Sequence, residues 1–334
     1  ETDDGIHHCC VLNLMACSMY SVLKIPKYKL GIPFNVVIVC IKQVLEGLRD
    51  LHSHNIIHGD IKPENILVSG TSTEQQEIFT KFNQLVNKQK KASKKANREQ
   101  LLNKITDAMS DNESSDDTDS SVYNSDSDYE DSKLNLSSSD ESSDSVSEEG
   151  NSDLSYNPIE TLVTDKINVK ISDMGDCILP NALKRKKEIH TCYYRSPEIL
   201  LKTGYTEKCD LWAVGCTLYE FLTGNILFDP DDFDGNFRRH HIYIIMKHLG
   251  CFPMELLEKS PDKDIFFTKD LKRIKGYDHI NFINFDDMLC EISATHNLSD
   301  TDKINFINLM HGLLDYDVSS RLSAVNALKN PLFC

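Results

Sequence analysis

No apolar run in this 334-residue chain reaches the roughly 18 residues that a membrane-crossing helix needs, and no membrane association is expected. No Cys-x-x-Cys pair occurs among the eleven cysteines, whose number is odd. That speaks against a disulfide framework or a zinc site and for a reducing compartment, cytoplasmic or nuclear. The run HHCC at residues 7–10 has metal-ligand residue types without zinc spacing, and residues 5–16 read instead as a strand leading into a connector. No leader peptide is visible, and a first residue of Glu rather than Met reads as a processed, excised or incomplete chain. Positive charge is outweighed, 36 Lys and Arg against 52 Asp and Glu for a net charge of -16, and nucleic acid is not an expected partner for the folded part.

The charge is unevenly spread. Residues 111–149 hold fourteen acidic side chains, a single lysine and fourteen serines, whereas residues 81–104 hold eight basic side chains and one acid. A Ser/Asp/Glu-rich segment with so few apolar side chains cannot offset its ordering entropy, so disorder is expected over 111–157 after a basic helical stretch from 69 to 110. On either side the composition is that of a folded protein, 40% hydrophobic overall. Val36, Val37, Ile38, Ile41, Val44, Leu45, Leu48 and Leu51 recur at helical spacing and predict an amphipathic helix over residues 35–54. Ile66–Val68 and Ile167–Ile171 read as short strands, and helical patterns follow at about 208–223, 239–249 and 303–329, joined by a polar stretch.

The chemistry concentrates in IIHGDIKPENILV, residues 56–68, a loop between helix and strand that carries Asp60, Lys62 and Asn65. Asp173, in SDMG, follows the second strand 108 residues beyond Asn65. If the two strands pair across the insert, Asn65 and Asp173 come to one edge, where their oxygens suit Mg²⁺. Asp60 is then placed to accept a proton from a hydroxyl, and Lys62 to neutralise a phosphate. Phosphoryl transfer needs this kind of positioning and charge stabilisation more than covalent chemistry.

HGDIKPEN resembles the catalytic loop of eukaryotic-type protein kinases, and DMG resembles their metal-binding DFG motif. SPEIL (196–200) resembles the APE motif, and DLWAVGCTLYEFLTG (210–224) resembles the helix that anchors the large lobe. Arg321 resembles the late arginine that pairs with the APE glutamate, here Glu198. Taken singly, Asp210, Glu198 and Arg321 read as surface charges; the ordered set of five motifs gives the resemblance its specificity. It implies an α+β fold, the mainly helical large (C-terminal) lobe of a kinase with short β-strands at the catalytic edge. Residues 1–68 would form the hinge region and first part of that lobe, 69–160 an insert that is basic-helical and then acidic and disordered, and 161–334 the remainder. The resemblance further implies ATP and Mg²⁺ as cofactors, Asp60 and Lys62 as catalytic residues, and Asn65 and Asp173 as metal ligands. Leu12 would be the gatekeeper, Asn13, Leu14 and Met15 the hinge that holds adenine, and Leu67 the floor beneath it. The protein partner would be a substrate bearing Ser or Thr. No G-x-G-x-x-G loop, no V-A-I-K strand and no partner glutamate for its lysine are found, so the small lobe is missing and the chain alone is expected to bind nucleotide poorly.

TCYYRSPEIL (191–200) is similar to the signature of the cyclin-dependent, MAP, dual-specificity tyrosine-regulated and SR-protein kinases. The place of the insert and the region 240–274 resemble the SR-protein kinases most. Three departures concern regulation. There is no Ser, Thr or Tyr between Asp173 and Thr191; Gly59 stands where an arginine usually receives an activating phosphate; Glu188 stands where a relative carries phosphotyrosine, and it is expected to pair with Arg195. Together they predict an activation segment that works unphosphorylated, or a copy drifting from function. Cys192 replaces a customary arginine, and Arg238, Arg239 and Lys247 would repel an Arg/Ser-rich peptide or simply form a solvated helix face. The acidic serines read as targets of acidophilic kinases or as a solubilising linker, and KRKK (184–187) as an import signal or a substrate-facing patch. Three functions stay open: a serine/threonine kinase whose small lobe lies upstream, a pseudokinase-like scaffold, and a metal-dependent hydrolase. Retention of Asp60, Lys62, Asn65 and Asp173 together favours the first.

Overall fold

The computed structural model describes residues 12–71, 73–110, 158–179, 188–231 and 235–334. Residues 5–11 with the HHCC run, the acidic segment 111–157 and the KRKK run at 184–187 lie outside the described residues. The chain divides into two compact units, residues 1–76 with 157–334, and residues 77–156.

The first unit begins with strand β1 (Met15–Ser18) and a short helix α1 (Met19–Leu23), and continues into helix α2 (Phe34–Ser53). Of the expected strand over residues 5–16, residues 5–11 lie outside the described residues and Met15 and Ala16 are strand. Residues 12–14 are not strand, and Met15–Ser18 is strand because its backbone pairs antiparallel with β2 (Ile66–Ser69), Ser18 opposite Leu67. A strand exists only where a partner takes its N–H and C=O groups. The edge strand on the far side, β3 (Val169–Ile171), pairs antiparallel with β2, Ile66 opposite Ile171 and Val68 opposite Val169.

Helix α2 buries Val36, Val37, Ile38, Ile41, Val44, Leu45 and Leu48 of the predicted stripe against the centre of the unit, with Leu51 partly buried and Cys40 buried beside them. The second unit's described part belongs to helix α3 (Thr73–Ser110), a polar helix on which Ile78, Phe79, Phe82 and Leu85 stay exposed. After β3 the first unit is helical: α4 (Pro197–Leu200), α5 (Lys208–Thr223), α6 (Phe237–Leu249), α7 (Met254–Lys259), α8 (Lys263–Phe266), α9 (Phe285–Thr295), α10 (Asp300–Leu313) and α11 (Ala324–Ala327). None of the described helices is long and apolar enough to cross a membrane.

Helix α5 is the axis of the core, buried almost all round from Cys209 to Leu222. It stops at Gly224, whose backbone is left-handed (φ 71°) and whose N–H closes on Glu220 O at 2.8 Å. A Cβ there would stand 2.4 Å from Lys29 O, so both conformation and space demand glycine. Trp212 on α5 stacks with Phe228 (5.6 Å) and with Tyr316 (6.2 Å), and the Arg321 guanidinium lies 5.2 Å from its ring centroid.

Two readings of the C-terminal region need correction. The pattern over 303–329 is not one helix: α10 ends at Leu313, and Asp315 and Asp317 accept the N–H groups of Asp317 (2.9 Å) and Ser319 (2.8 Å). Those side chains offer the backbone a turn instead of a further helical rung. The polar stretch hides α9, whose start is capped by Asn284 Oδ1 accepting from Asp286 and Asp287, and whose Phe285, Leu289 and Ile292 face the core.

The turn after α10 delivers Arg321 to Glu198 on α4. The pair is bidentate (2.6 and 2.8 Å) and fully buried, and Arg321 also donates to Asp315 O and Lys208 O. These are not surface charges. Removing one partner strands the other charge in the core, so Arg321→Ala is expected to cost about 3–5 kcal/mol, read as a fall in melting temperature and denaturation midpoint. The double change Glu198→Gln with Arg321→Met should cost less than Arg321→Ala alone.

Candidate active site

The loop after α2 turns at Asn55, a left-handed residue (φ 57°), and then Ile57 exchanges two hydrogen bonds with Ile178 (3.1 and 2.8 Å). From here a single buried carboxylate takes over. Asp210, in the first turn of α5 and 0% exposed, accepts the N–H of His58 on Oδ2 (2.8 Å) and the N–H of Gly59 on Oδ1 (2.9 Å). His52 Nε2–H donates to the same Oδ2 (2.9 Å) and His190 Nε2–H to the same Oδ1 (3.1 Å). Burial alone would raise this acid's pKa; the two histidine hydrogen bonds outweigh burial and hold it far below the usual carboxylate range.

The loop so held presents Asp60. Its Oδ1 accepts the backbone N–H (3.0 Å) and hydroxyl (2.8 Å) of Thr191, and its Oδ2 accepts from Asn65 Nδ2 (2.9 Å) and lies 2.7 Å from Lys62 Nζ. Lys62 Nζ also donates to Thr191 Oγ1 at 2.8 Å, so Asp60, Lys62 and Thr191 form one network. Burial pushes the Asp60 pKa up, but the hydrogen bonds from Lys62 and Thr191 and the Lys62 charge pull it down further, leaving it below the ordinary value. His58 lies beneath, its Nδ1 accepting the Asp60 N–H (3.2 Å) and its Nε2–H donating to Ser172 O (3.0 Å). Desolvation lowers its pKa despite the nearby Asp210, which favours this neutral form.

Pairing of β2 with β3 brings the ends of the insert together: Ser172 N–H donates to Asn65 O at 2.8 Å. Asn65 and Asp173 thus leave neighbouring strands at one edge. The Asn65 amide is oriented by donating Nδ2 to Asp60 O and Oδ2 (both 2.9 Å), which leaves its Oδ1 without a protein partner among the described residues. Asp173 is left-handed (φ 62°), exposed, and holds its carboxylate at the start of a 3₁₀ turn by accepting Gly175 N–H (3.4 Å). A carboxylate and an amide oxygen are hard donors that fit a magnesium ion.

The residues assigned to nucleotide are arranged more loosely. Met15 and Leu67 sit on the adjacent strands β1 and β2; Leu12 and Asn13 precede β1 and are exposed, Leu12 84% so. In the activation segment, Glu188 pairs with Arg195 (3.2 Å), and Arg195 Nε donates to His190 O (2.9 Å). The basic neighbourhood at 238–247 is not a row of outward cations. Arg238 turns inward, pairing with Asp262 (2.7 Å), donating to Leu200 O and covering Phe266. Residue types alone missed Asp210 and His190 as organisers of the site. The available signal was an acid opening an otherwise apolar helix, and a histidine beside an isoleucine in a segment without phosphoacceptors.

Comparison with known proteins agrees with this geometry. The family model described as protein kinase domain matches residues 4–97 and 158–333. A protein of Acanthamoeba polyphaga mimivirus that carries a serine/threonine-protein kinase name is 30% identical, over 99% of this chain and 73% of that protein. Serine/threonine-protein kinase AFC3 of Arabidopsis thaliana is 30% identical over 49% of this chain and 41% of its own length. Dual specificity protein kinase CLK1 of Homo sapiens is 26% identical over 50% of this chain and 33% of its own length. The chain thus spans less than half the length of the plant and human relatives.

The Asp60 carboxyl, titrated by ¹³C NMR, should show a midpoint below the ordinary aspartate value of about 3.9, and Lys62→Met should move it upward. Because the folded-state value is depressed, the stability this group contributes is present above the unfolded pKa and is lost as pH falls through the folded one.

Proposed function

Because the chain belongs to the protein kinase domain family, we propose that it acts as a serine/threonine protein kinase, transferring phosphate from ATP to protein hydroxyls. The observation that carries this reading is the Asp60 network. A buried carboxylate, held below its ordinary pKa, faces a lysine at 2.7 Å and is fixed at both oxygens by groups whose positions depend on the folded loop. An ionised aspartate so oriented accepts the proton of a Ser or Thr hydroxyl that enters beside Thr191. Lys62, within reach of the same point, steadies negative charge there. Asn65 and Asp173 are the side chains that would hold Mg²⁺, and with it bound the ion would neutralise the phosphates of ATP.

The finer parts of the reading have their own support. The exposed apolar side chains Leu12 and Leu14, beside β1, fit an edge that a small lobe covers, and that lobe would bring the glycine-rich loop and the ATP-binding lysine. The long insertion between β2 and β3 favours a place near the SR-protein kinases. The inward-turned Arg238 removes one objection to a basic peptide substrate. Independence from activation-segment phosphorylation is supported by the Glu188–Arg195 pair and by the contacts of His190.

The test uses the full-length protein, treated with phosphatase, and follows phosphate transfer from ATP to Ser/Thr peptides. Transfer should persist after phosphatase treatment, and Asp60→Asn should lower it by at least about 10²-fold. A protein that binds its partners but transfers nothing would instead be the scaffold.

A further inference from the structure

We infer that His190 is a positioning residue, fastening the substrate loop to the catalytic loop in place of a phosphate–arginine pair; this rests on the kinase reading of Asp60. His190 is tied twice to the same small region. Its backbone N–H donates to Gly59 O (2.6 Å), and its ring Nε2–H donates to Asp210 Oδ1 (3.1 Å), the oxygen that also takes the Gly59 N–H (2.9 Å). Gly59, Asp210 and His190 therefore close a ring of three hydrogen bonds, with His190 5% exposed and Asp210 wholly buried. The next residue, Thr191, places two donors on Asp60, so whatever fixes His190 fixes the substrate loop at the base.

His190 adopts a left-handed backbone (φ 64°), a conformation that costs a non-glycine residue free energy and persists only where surrounding bonds impose it. Arg195 adds to that constraint by donating Nε to His190 O (2.9 Å). Among the described residues, the side chain nearest to the space above Gly59 is that of Ile189. Gly59 is itself left-handed (φ 78°), and a Cβ on it would lie 3.2 Å from Asp176 O and 3.8 Å from the Cβ of Ile189. Ile189 instead packs with Ile57, Ile178, Ile199 and Cys209 into a small apolar cluster. The fastening is done by burial of Ile189 and by an imidazole N–H donated to a buried anion, both features of the folded chain itself.

The experiment compares His190→Leu, similar in bulk but without a donor, with His190→Gln, whose amide reaches about as far as the ring Nε2–H. Both meet the same left-handed backbone. Amide hydrogen exchange over residues 57–61 and 188–196 is measured on the phosphatase-treated full-length protein without nucleotide, followed by peptide and ATP kinetics. A hydrogen bond to a buried carboxylate shifts a local opening equilibrium by about tenfold or more, so His190→Leu should exchange roughly tenfold faster in both segments. Its kcat/KM for peptide should fall about as far while its KM for ATP stays within about twofold, and His190→Gln should recover most of both losses. Unchanged exchange in His190→Leu overturns the inference, as does a His190→Gln protein as impaired as His190→Leu. If His190→Leu does not fold, His190→Asn, which tolerates the left-handed backbone but is too short for Asp210, is judged by the same exchange. A wild-type protein inert towards ATP that still shows the loss and the rescue would overturn the kinase reading while supporting the fastening role.

Discussion

A single ionised carboxylate, buried in the first turn of α5, is the constraint on which the active region depends. Taking such a charge out of water is costly unless donors replace its hydration. Asp210 has four: two backbone N–H groups from the catalytic loop and two histidine rings. Because the donors come from three separate stretches of chain, satisfying the charge also brings the end of α2, the loop that carries Asp60 and the segment around His190 to one place. The interaction acts as a specification of geometry. Asp210 lies on the most buried helix of the core, the same helix that carries Trp212 and whose Lys208 O accepts from Arg321.

The pairing of β2 with β3 is the second constraint, and it has to hold across the 99 residues between Ser69 and Val169. Loop-closure entropy grows only logarithmically, so such a connection costs roughly 3 kcal/mol more than a loop of about four residues. The buried Ile66, Val68 and Val169 and the ladder between them are enough to offset a difference of that size. This explains why so long a polar insertion is compatible with Asn65 and Asp173 at one edge. The tolerance is a property of where the insert sits, between strands that would otherwise be joined by a short turn.

Between Gly59 and Ile189 the proposed fastening differs in kind from an arginine–phosphate pair. An arginine awaiting a phosphate is a switch, because the charged partner is supplied from outside. Ile189 in an apolar cluster and His190 on Asp210 need no such supply. Gly59, the absence of phosphoacceptors between Asp173 and Thr191 and the left-handed His190 are mutually consistent with that proposal.

Much of this was legible in the linear chain. The 3.6-residue spacing of apolar side chains determined α2, and the order Asp60, Lys62, Asn65 fixed which side chains share a loop. Composition set apart the basic and acidic stretches of the insert from the rest. All of these depend on residues within a turn or two of one another. The tertiary structure alone decided the start of β1, which exists only where β2 accepts its backbone. It also decided the break between α10 and α11, where aspartate side chains outcompete the helix. Asp210 read locally as one more surface acid and Arg238 as one more exposed cation, yet each is turned inward by partners tens to hundreds of residues away in sequence. Local patterns encode which backbone conformations are cheap. Whether a charge is buried, and with what it is paired, is set by contacts that no local window contains.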